Sequence, residues 1–205
     1  PGVPHEMKAM WTESVRPLLM ERQNCTLHSV TLRVLGGESD IEYKVRDLLE
    51  NPNPTAAIYC KTGECEIRIT ARARSDEDGE KMCRAYAKKF YDTLGDAVYD
   101  EDVAGLEETL VRTLKEKGLT ISTAESCTGG LIAQRITSVP GSSEVFGYGF
   151  VTYWEAAKAR LVGVEPDVIA KYNVVSAPVA AQMALGAAQA AGAEIGISVT
   201  GVAGP

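Results

Sequence analysis

The sequence predicts a small α+β domain followed by an α/β three-layer sandwich that is truncated at its C-terminus. Up to residue 98 the predicted elements run helix, strand, helix, strand, strand, helix, an order typical of α+β domains. Beyond residue 103 strands alternate with helices, which favours a sheet with at least partly parallel strands. Between these parts the acidic, poorly periodic stretch YDEDVAG at 99–105 indicates a link.

The composition argues against several classes of protein. The 205 residues include 21 basic and 28 acidic side chains, giving a net charge of -7, so a nucleic-acid partner is not expected. The five cysteines form no CxxC pair, which gives no support for a zinc site. The sequence has no long apolar run, so no membrane segment is expected, and a reducing cytoplasm is the simplest compartment.

The first half of the α+β domain is predicted from helical and strand periodicity. Residues 6–22 predict a helix that Pro17 kinks or splits. Alternating apolar and polar residues at 30–34 predict a half-buried strand. Ser39 and Glu42 have the spacing of a capping box, and apolar residues follow at helical intervals.

A hairpin and a long helix complete this domain. The segments AAIYCK and CEIRITARA flank Thr62-Gly63-Glu64, a pattern typical of a β-hairpin. Ser75 is then placed to cap a helix that ends near Gly95. One face of the second strand is expected to be buried; it comprises Ile67, Ile69, Ala71 and Ala73.

The second domain is predicted from alternating strands and helices. A helix with an apolar stripe from Val103 to Leu114 ends at Gly118. Ser176 is placed to cap an Ala-rich helix that runs to residue 191. The remaining elements are strands at 119–123, 146–154 and 194–201 and helices at 130–138 and 155–163.

The segment TAESCTGG at 123–130 suggests a nucleophile between a strand and a helix. Backbone N–H groups at a helix start are unpaired and can bind a phosphate or an oxyanion. Gly129 and Gly130 would let a substrate approach the main chain, and Ser126 could attack a carbonyl. Glu125 is expected to interact with the helix dipole. The alternative is that Ser126 only caps the helix.

A serine nucleophile needs a base, and the sequence offers a lysine rather than a histidine. His5 and His28 both lie in the first part of the chain, so a Ser-His-Asp triad is not expected. Lys158 follows a predicted strand by one turn and could reach the same edge of the sheet, whereas Lys171 is expected in solvent. To accept a proton, the lysine needs a lowered pKa. The alternative is an ordinary exposed lysine.

Other residues are candidates for the same cleft. Tyr153, at the predicted end of a strand, could relay a proton or orient the serine; otherwise it covers the core. Thr200 and Gly201 end a strand as Ser126 does and are expected to line the cleft, unless they form a plain turn. Cys127 has no histidine partner and is interpreted as a packing residue.

Taken together, these motifs resemble those of the CinA competence/damage-inducible family. The segments TAESCTGGLIA, PGSSEVFGYGFVTY, VSAPVAAQMALGA and SVTGVAGP occur in order, with Lys158 between the second and third. The resemblance covers residues 103–205. It implies that 1–10 end a molybdopterin-binding-like domain, 11–98 form a KH-like middle domain and 99–205 form the amidohydrolase domain. Because Gly36-Gly37-Glu38-Ser39 is not a GxxG loop, RNA binding is not inferred.

The resemblance implies hydrolysis of the carboxamide of nicotinamide mononucleotide, with release of ammonia and without a metal or cofactor. The family's nucleophile, assisting tyrosine and base fall on Ser126, Tyr153 and Lys158. Thr128, Gly129 and Gly130 match a family loop, for which we expect oxyanion or phosphate contacts.

A non-catalytic regulatory or assembly module is the alternative function. It is suggested because Trp154-Glu155 replaces the Ser-Asn that often follows the tyrosine in this family. The Ala-rich helix could pack within its own chain or against another subunit, and a homo-oligomer, a dimer by preference, is expected.

Overall fold

The computed structural model of the chain describes residues 2–22, 25–61, 63–202 and 204. Pro1, Thr62, Ala203 and Pro205 belong to predicted segments but lie outside the described residues. Contacts divide the chain into two units, Pro1–Val103 and Ala104–Pro205. The predicted order of an α+β domain followed by an α/β domain is confirmed.

The first unit contains a four-stranded antiparallel sheet in the order β2-β3-β1-β4. Its strands are β1 (Thr26–Leu35), β2 (Thr55–Lys61), β3 (Glu64–Ala73) and β4 (Val98–Glu101), and its helices are α1 (Pro4–Met10), α2 (Arg16–Arg22), α3 (Glu38–Leu49) and α4 (Asp76–Leu94). The predicted hairpin is confirmed, since Cys60 and Cys65 are partners across β2 and β3. The predicted face of β3, from Ile67 to Ala73, is buried against α3 and α4.

The break near Pro17 takes the form of a π-helical turn. Residues Trp11–Val15 form this turn between α1 and α2. Proline has no N–H for the carbonyl four residues earlier, so regular α-helical bonding fails just before it. The predicted single helix is therefore interrupted by this π-helical turn and divided into α1 and α2.

One local prediction for this unit is wrong, and a second is wrong only in its first residues. Gly37, in extended conformation, is the N-cap of α3, and Ser39 already lies in the first helical turn, so it does not form a capping box with Glu42. The predicted link at 99–105 contains the division between the two units, after Val103, but it begins with residues of β4, which pairs with β1. In this strand the Tyr99 hydroxyl accepts from Arg33 Nε at 3.1 Å and donates to Glu64. The predictions for Ser75 as cap and Gly95 as helix end are confirmed.

The second unit has three layers around a parallel sheet in the order β6-β5-β7. Ile121 and Ala124 point to opposite faces of β5, into two separate apolar clusters. One cluster includes side chains of α5 and α6, and the other includes side chains of α7 and α9. The elements are α5 (Leu106–Lys117), β5 (Ile121–Glu125), α6 (Leu131–Thr137), β6 (Phe146–Val151), α7 (Glu155–Val162), α8 (Pro166–Tyr172), α9 (Ala177–Ala191) and β7 (Ile195–Val199).

The helix ends of this unit follow the predicted signals with two differences. The predicted apolar stripe starts at Val103, but α5 begins at Leu106. Gly118 ends α5 in the left-handed conformation, as expected. Ser176 occupies the N-cap of α9, but its hydroxyl donates to the Asn173 carbonyl at 2.8 Å and caps no helical N–H. In the part of the chain that the structure describes, no helix is long and apolar enough to cross a membrane.

Candidate active site

Parallel pairing brings the carboxyl ends of the three strands to one edge. Glu125, the last residue of β5, is in register with Val151 of β6 and Val199 of β7. The Ser126 N–H donates to the Val199 carbonyl at 2.9 Å, and the Thr152 N–H donates to the Glu125 carbonyl at 2.7 Å. The residues that follow each strand therefore converge, as expected for ligand sites in parallel sheets.

The Glu125 carboxylate organises the turn that carries Ser126. It accepts from the backbone N–H groups of Gly130, Ile132 and Ala133 at 3.1, 2.9 and 2.8 Å. Burial raises the pKa of Glu125, but the hydrogen bonds from Ala133, Ile132, Thr128 and Gly130 together outweigh it, so the pKa is lowered and the ionised form is favoured. The expected interaction with the start of α6 thus takes the form of direct hydrogen bonds.

Lys158 and Ser126 contact each other inside the unit. Lys158 is only 1% exposed and Ser126 6% exposed. The Lys158 Nζ lies 3.0 Å from Ser126 Oγ and 2.7 and 3.2 Å from the carbonyl oxygens of Thr152 and Tyr153. A neutral amine has two N–H bonds and one lone pair. If the two carbonyls take the N–H bonds, the lone pair is left for the serine proton.

The surroundings of Lys158 favour its neutral form. Burial lowers the pKa of its amine, while the charges of Glu155 and Cys127 raise it by less, so the net pKa lies below the ordinary lysine value. Glu155 therefore opposes the neutral amine without reversing the effect of burial. The arrangement can support general-base chemistry on Ser126.

The glycines after Ser126 use their N–H groups within the turn. Gly129 donates to the Ser126 carbonyl at 3.0 Å, and Gly130 donates to Glu125. Both glycines have positive φ, which explains why glycine is favoured there. The Thr128 hydroxyl is buried. Among the described residues, the backbone N–H groups of Cys127 and Thr128 have no hydrogen-bond partner.

A cavity of about 420 Å³ opens next to Ser126. Thr200 and Gly201, both expected in the cleft, lie in its wall. The Thr200 hydroxyl donates to the Val174 carbonyl at 3.0 Å, which joins the end of β7 to the loop before α9. A Cβ on Gly201 would lie 2.9 Å from Cys127 Sγ, so Cys127 packs there as predicted. The full lining is Ser126, Tyr153, Trp154, Glu155, Val174, Val175, Thr200 and Gly201.

Tyr153 lies at the cavity but not in the strand where the sequence placed it. The strand β6 ends at Val151, two residues earlier. The Tyr153 side chain is 60% exposed and lines the cavity, and its carbonyl holds Lys158. Within the described ranges, the Tyr153 hydroxyl makes no hydrogen bond in this structure.

Sequence reasoning missed several contributors. Thr152 is fully buried and supplies the shortest contact to Lys158, through its carbonyl. A backbone carbonyl can come from any residue type, so the sequence gives no direct sign of this contact. The position of Thr152 directly after a strand could nevertheless have indicated that it lies at the edge of the sheet. Val174 and Val175 line the cavity from a loop that has no distinctive motif.

Comparison with known proteins places these motifs in context. The CinA C-terminal domain family matches residues 103–205, and the KH domain family of the damage-inducible protein CinA matches residues 29–99. The resemblance noted in the sequence motifs is thereby confirmed. A putative competence-damage inducible protein of Clostridium novyi is 48% identical over 207 residues, which cover 100% of this chain and 50% of that protein. A CinA-like protein of Kosmotoga olearia is 46% identical, with the same coverage.

The chain spans about half the length of these relatives. Similar solved structures include the competence/damage inducible protein CihA of Agrobacterium tumefaciens, with a TM-score of 0.48 and 44% identity over 49% of this chain and 61% of that one. A CinA superfamily protein of Escherichia coli has a TM-score of 0.48 and 38% identity over 49% and 58% of the two chains.

Proposed function

This chain belongs to the CinA family, and from that premise we propose that it hydrolyses the carboxamide of nicotinamide mononucleotide through Ser126 and Lys158. The single observation that carries the proposal is the 3.0 Å contact between the buried Lys158 amine and the Ser126 hydroxyl. A buried amine with a lowered pKa next to a hydroxyl that lines a cavity has the geometry of a serine–lysine acyl-transfer site.

The reaction proceeds through an acyl-enzyme. Ser126 Oγ attacks the carboxamide carbon while the neutral Lys158 amine accepts the hydroxyl proton. The tetrahedral intermediate then collapses, the C–N bond breaks and Lys158 gives its proton to the departing nitrogen, which leaves as ammonia. Water, deprotonated by Lys158, attacks the ester carbon, and the ester oxygen recovers the proton as the nicotinate product leaves.

Backbone groups next to the serine would stabilise the oxyanion. The N–H groups of Cys127 and Thr128 directly follow the nucleophile and are unbonded among the described residues. Donors that are aimed at developing charge are effective because they need no reorganisation. Tyr153 holds Lys158 through its carbonyl and can orient the substrate with its exposed ring. Thr200 and Gly201 complete the substrate-binding wall.

The proposal is tested by ammonia release from nicotinamide mononucleotide. We expect Ser126→Ala and Lys158→Ala each to lower kcat by at least about a thousandfold, because each removes a partner in the first proton transfer. The matched control is Lys171→Ala, which removes an exposed lysine of α8 and should leave the rate unchanged. Full activity in both site variants would refute the mechanism. A folded wild-type chain that binds the nucleotide but releases no ammonia would favour the regulatory module instead.

A further inference from the structure

Two consecutive residues at the cavity have exposed side chains that form no hydrogen bond or ion pair with the described residues, although the Glu155 charge acts on Lys158. Trp154 and Glu155 line the cavity wall and begin α7, the helix that carries Lys158. Trp154 is 76% exposed, so its indole is left out of the core of the unit. Glu155 forms no ion pair or hydrogen bond with any residue that the structure describes. Both side chains are exposed in the cavity wall, so an aromatic face and a carboxylate are available there to a bound ligand.

The chemistry of this pair selects a flat cation. The face of a tryptophan attracts a positive charge, more strongly than other aromatic side chains do, and offers a surface for a ring to stack on. A neighbouring carboxylate adds direct attraction for the same charge. In an oxidised nicotinamide nucleotide the ring that bears the carboxamide is N-alkylated and positively charged.

We infer that Trp154 and Glu155 form a specificity site that recognises the positive charge of a pyridinium carboxamide and discriminates against uncharged rings. The inference rests on the proposed function, because it places the carboxamide at Ser126 and the ring against this wall. Trp154 stacks on the ring, and Glu155 lies toward its charge.

The position of Glu155 gives this recognition a second effect. The Glu155 charge raises the pKa of Lys158 and so opposes formation of the neutral base. A pyridinium in the cavity neutralises that carboxylate and repels the protonated amine, and both effects favour the neutral lysine. An uncharged ring provides neither effect. The correct substrate therefore assists the deprotonation of its own base.

The test compares two ligands that differ in ring charge. Oxidised nicotinamide mononucleotide and its 1,4-dihydro form share the ribose, phosphate and carboxamide, but only the first has a charged ring. Binding is measured by calorimetry in a Ser126→Ala background, which prevents turnover. We expect the oxidised form to bind roughly tenfold more tightly. Adding Glu155→Gln should reduce the preference to roughly threefold, and adding Trp154→Leu as well should abolish it.

A matched control separates a local effect from net charge. Glu116→Gln removes an exposed carboxylate of α5 that does not line the cavity, so the tenfold preference should persist. Equal binding of the two ligands, or a preference that survives both wall substitutions, overturns the inference even if ammonia is released. Absence of ammonia release with the preference intact refutes the proposed reaction but leaves the cation site standing.

Discussion

Lys158 is buried, and burial makes the protonated, charged form of its amine energetically unfavourable. It is 1% exposed, and no carboxylate forms an ion pair with it in the part of the chain that is described. Its three polar neighbours are a hydroxyl and two carbonyl oxygens, none of which carries a formal charge. The effect of burial on the amine therefore exceeds that of nearby charges, and the pKa of the amine is lowered.

This lowered pKa predicts a pH-dependent stability that Lys158→Met should remove. The unfolded lysine has a pKa of about 10.4, so between the lowered folded-state pKa and that value the unfolded state binds more protons than the folded state. The stability of the wild type must then rise with pH through this window and stay level with respect to this group below and above it. Each unit of lowering corresponds to about 1.4 kcal/mol. Methionine has a similar length and no charge. The Lys158→Met variant should therefore lack the part of the pH dependence of the unfolding free energy that comes from this lysine.

Urea unfolding at a series of pH values measures this effect. Lys171→Met, which alters an exposed lysine, serves as the control and should keep the wild-type slope. Parallel slopes for wild type and Lys158→Met would show that the amine stays fully charged in the folded state.

At the scale of elements, the position of α7 decides whether the amine meets the hydroxyl. Ser126 is fixed by β5, whereas Lys158 is carried by α7, which packs against α9. The closest approach is at Gly186 of α9, where a Cβ would lie 1.7 Å from the Val162 carbonyl oxygen. A glycine there allows the two helix backbones to approach closely enough for Lys158 to reach the edge of the sheet.

Gly186→Ala is therefore expected to impair the site from a distance. Alanine normally favours a helix by about 1 kcal/mol over glycine, but here the methyl group forces α7 outward, with a net cost of about 1–3 kcal/mol. A displacement of Lys158 by about 1 Å should lower kcat about a hundredfold. The measurement is ammonia release together with urea unfolding.

The matched control for this substitution is Gly147→Ala in β6. A Cβ there would have no heavy atom within 4 Å, and Gly147 does not have a positive φ. Its activity should match the wild type. Unimpaired activity in Gly186→Ala would mean that α7 adjusts without moving the amine.

The same elements explain how much the sequence could predict. The approach of Lys158 to Ser126 could be predicted because parallel strands end at one edge of the sheet and because both residues lie in the segments that follow such strands. The strand β4 was missed because its acidic residues have no apolar alternation; it is held by pairing with β1. The interaction of Glu125 with the start of α6 was expected from their closeness in the chain, whereas the contact at Gly186 depends on positions in space that no local pattern encodes.

At the scale of the whole molecule, each unit has its own apolar core. The core of the first unit joins β1 and β3 to α3 and α4 and includes Leu32, which is completely buried. The second unit has two clusters, one on each face of its sheet. Because these clusters share no residues with the first core, damage to one unit should remain largely within it.

Leu32→Ala tests this independence. Truncating a fully buried leucine removes contacts and leaves a cavity, which typically costs about 2–5 kcal/mol. The matched control is Leu27→Ala on the same strand, where the side chain is exposed and the cost should be small.

Amide hydrogen exchange, followed by mass spectrometry, reports the opening of each element separately. We expect faster exchange in β3 and α4, the elements that pack on Leu32, and unchanged exchange in β5 and α9. Equal acceleration in both units would mean that they unfold as one cooperative body, and substitutions in the first unit would then alter the stability of the Ser126–Lys158 site.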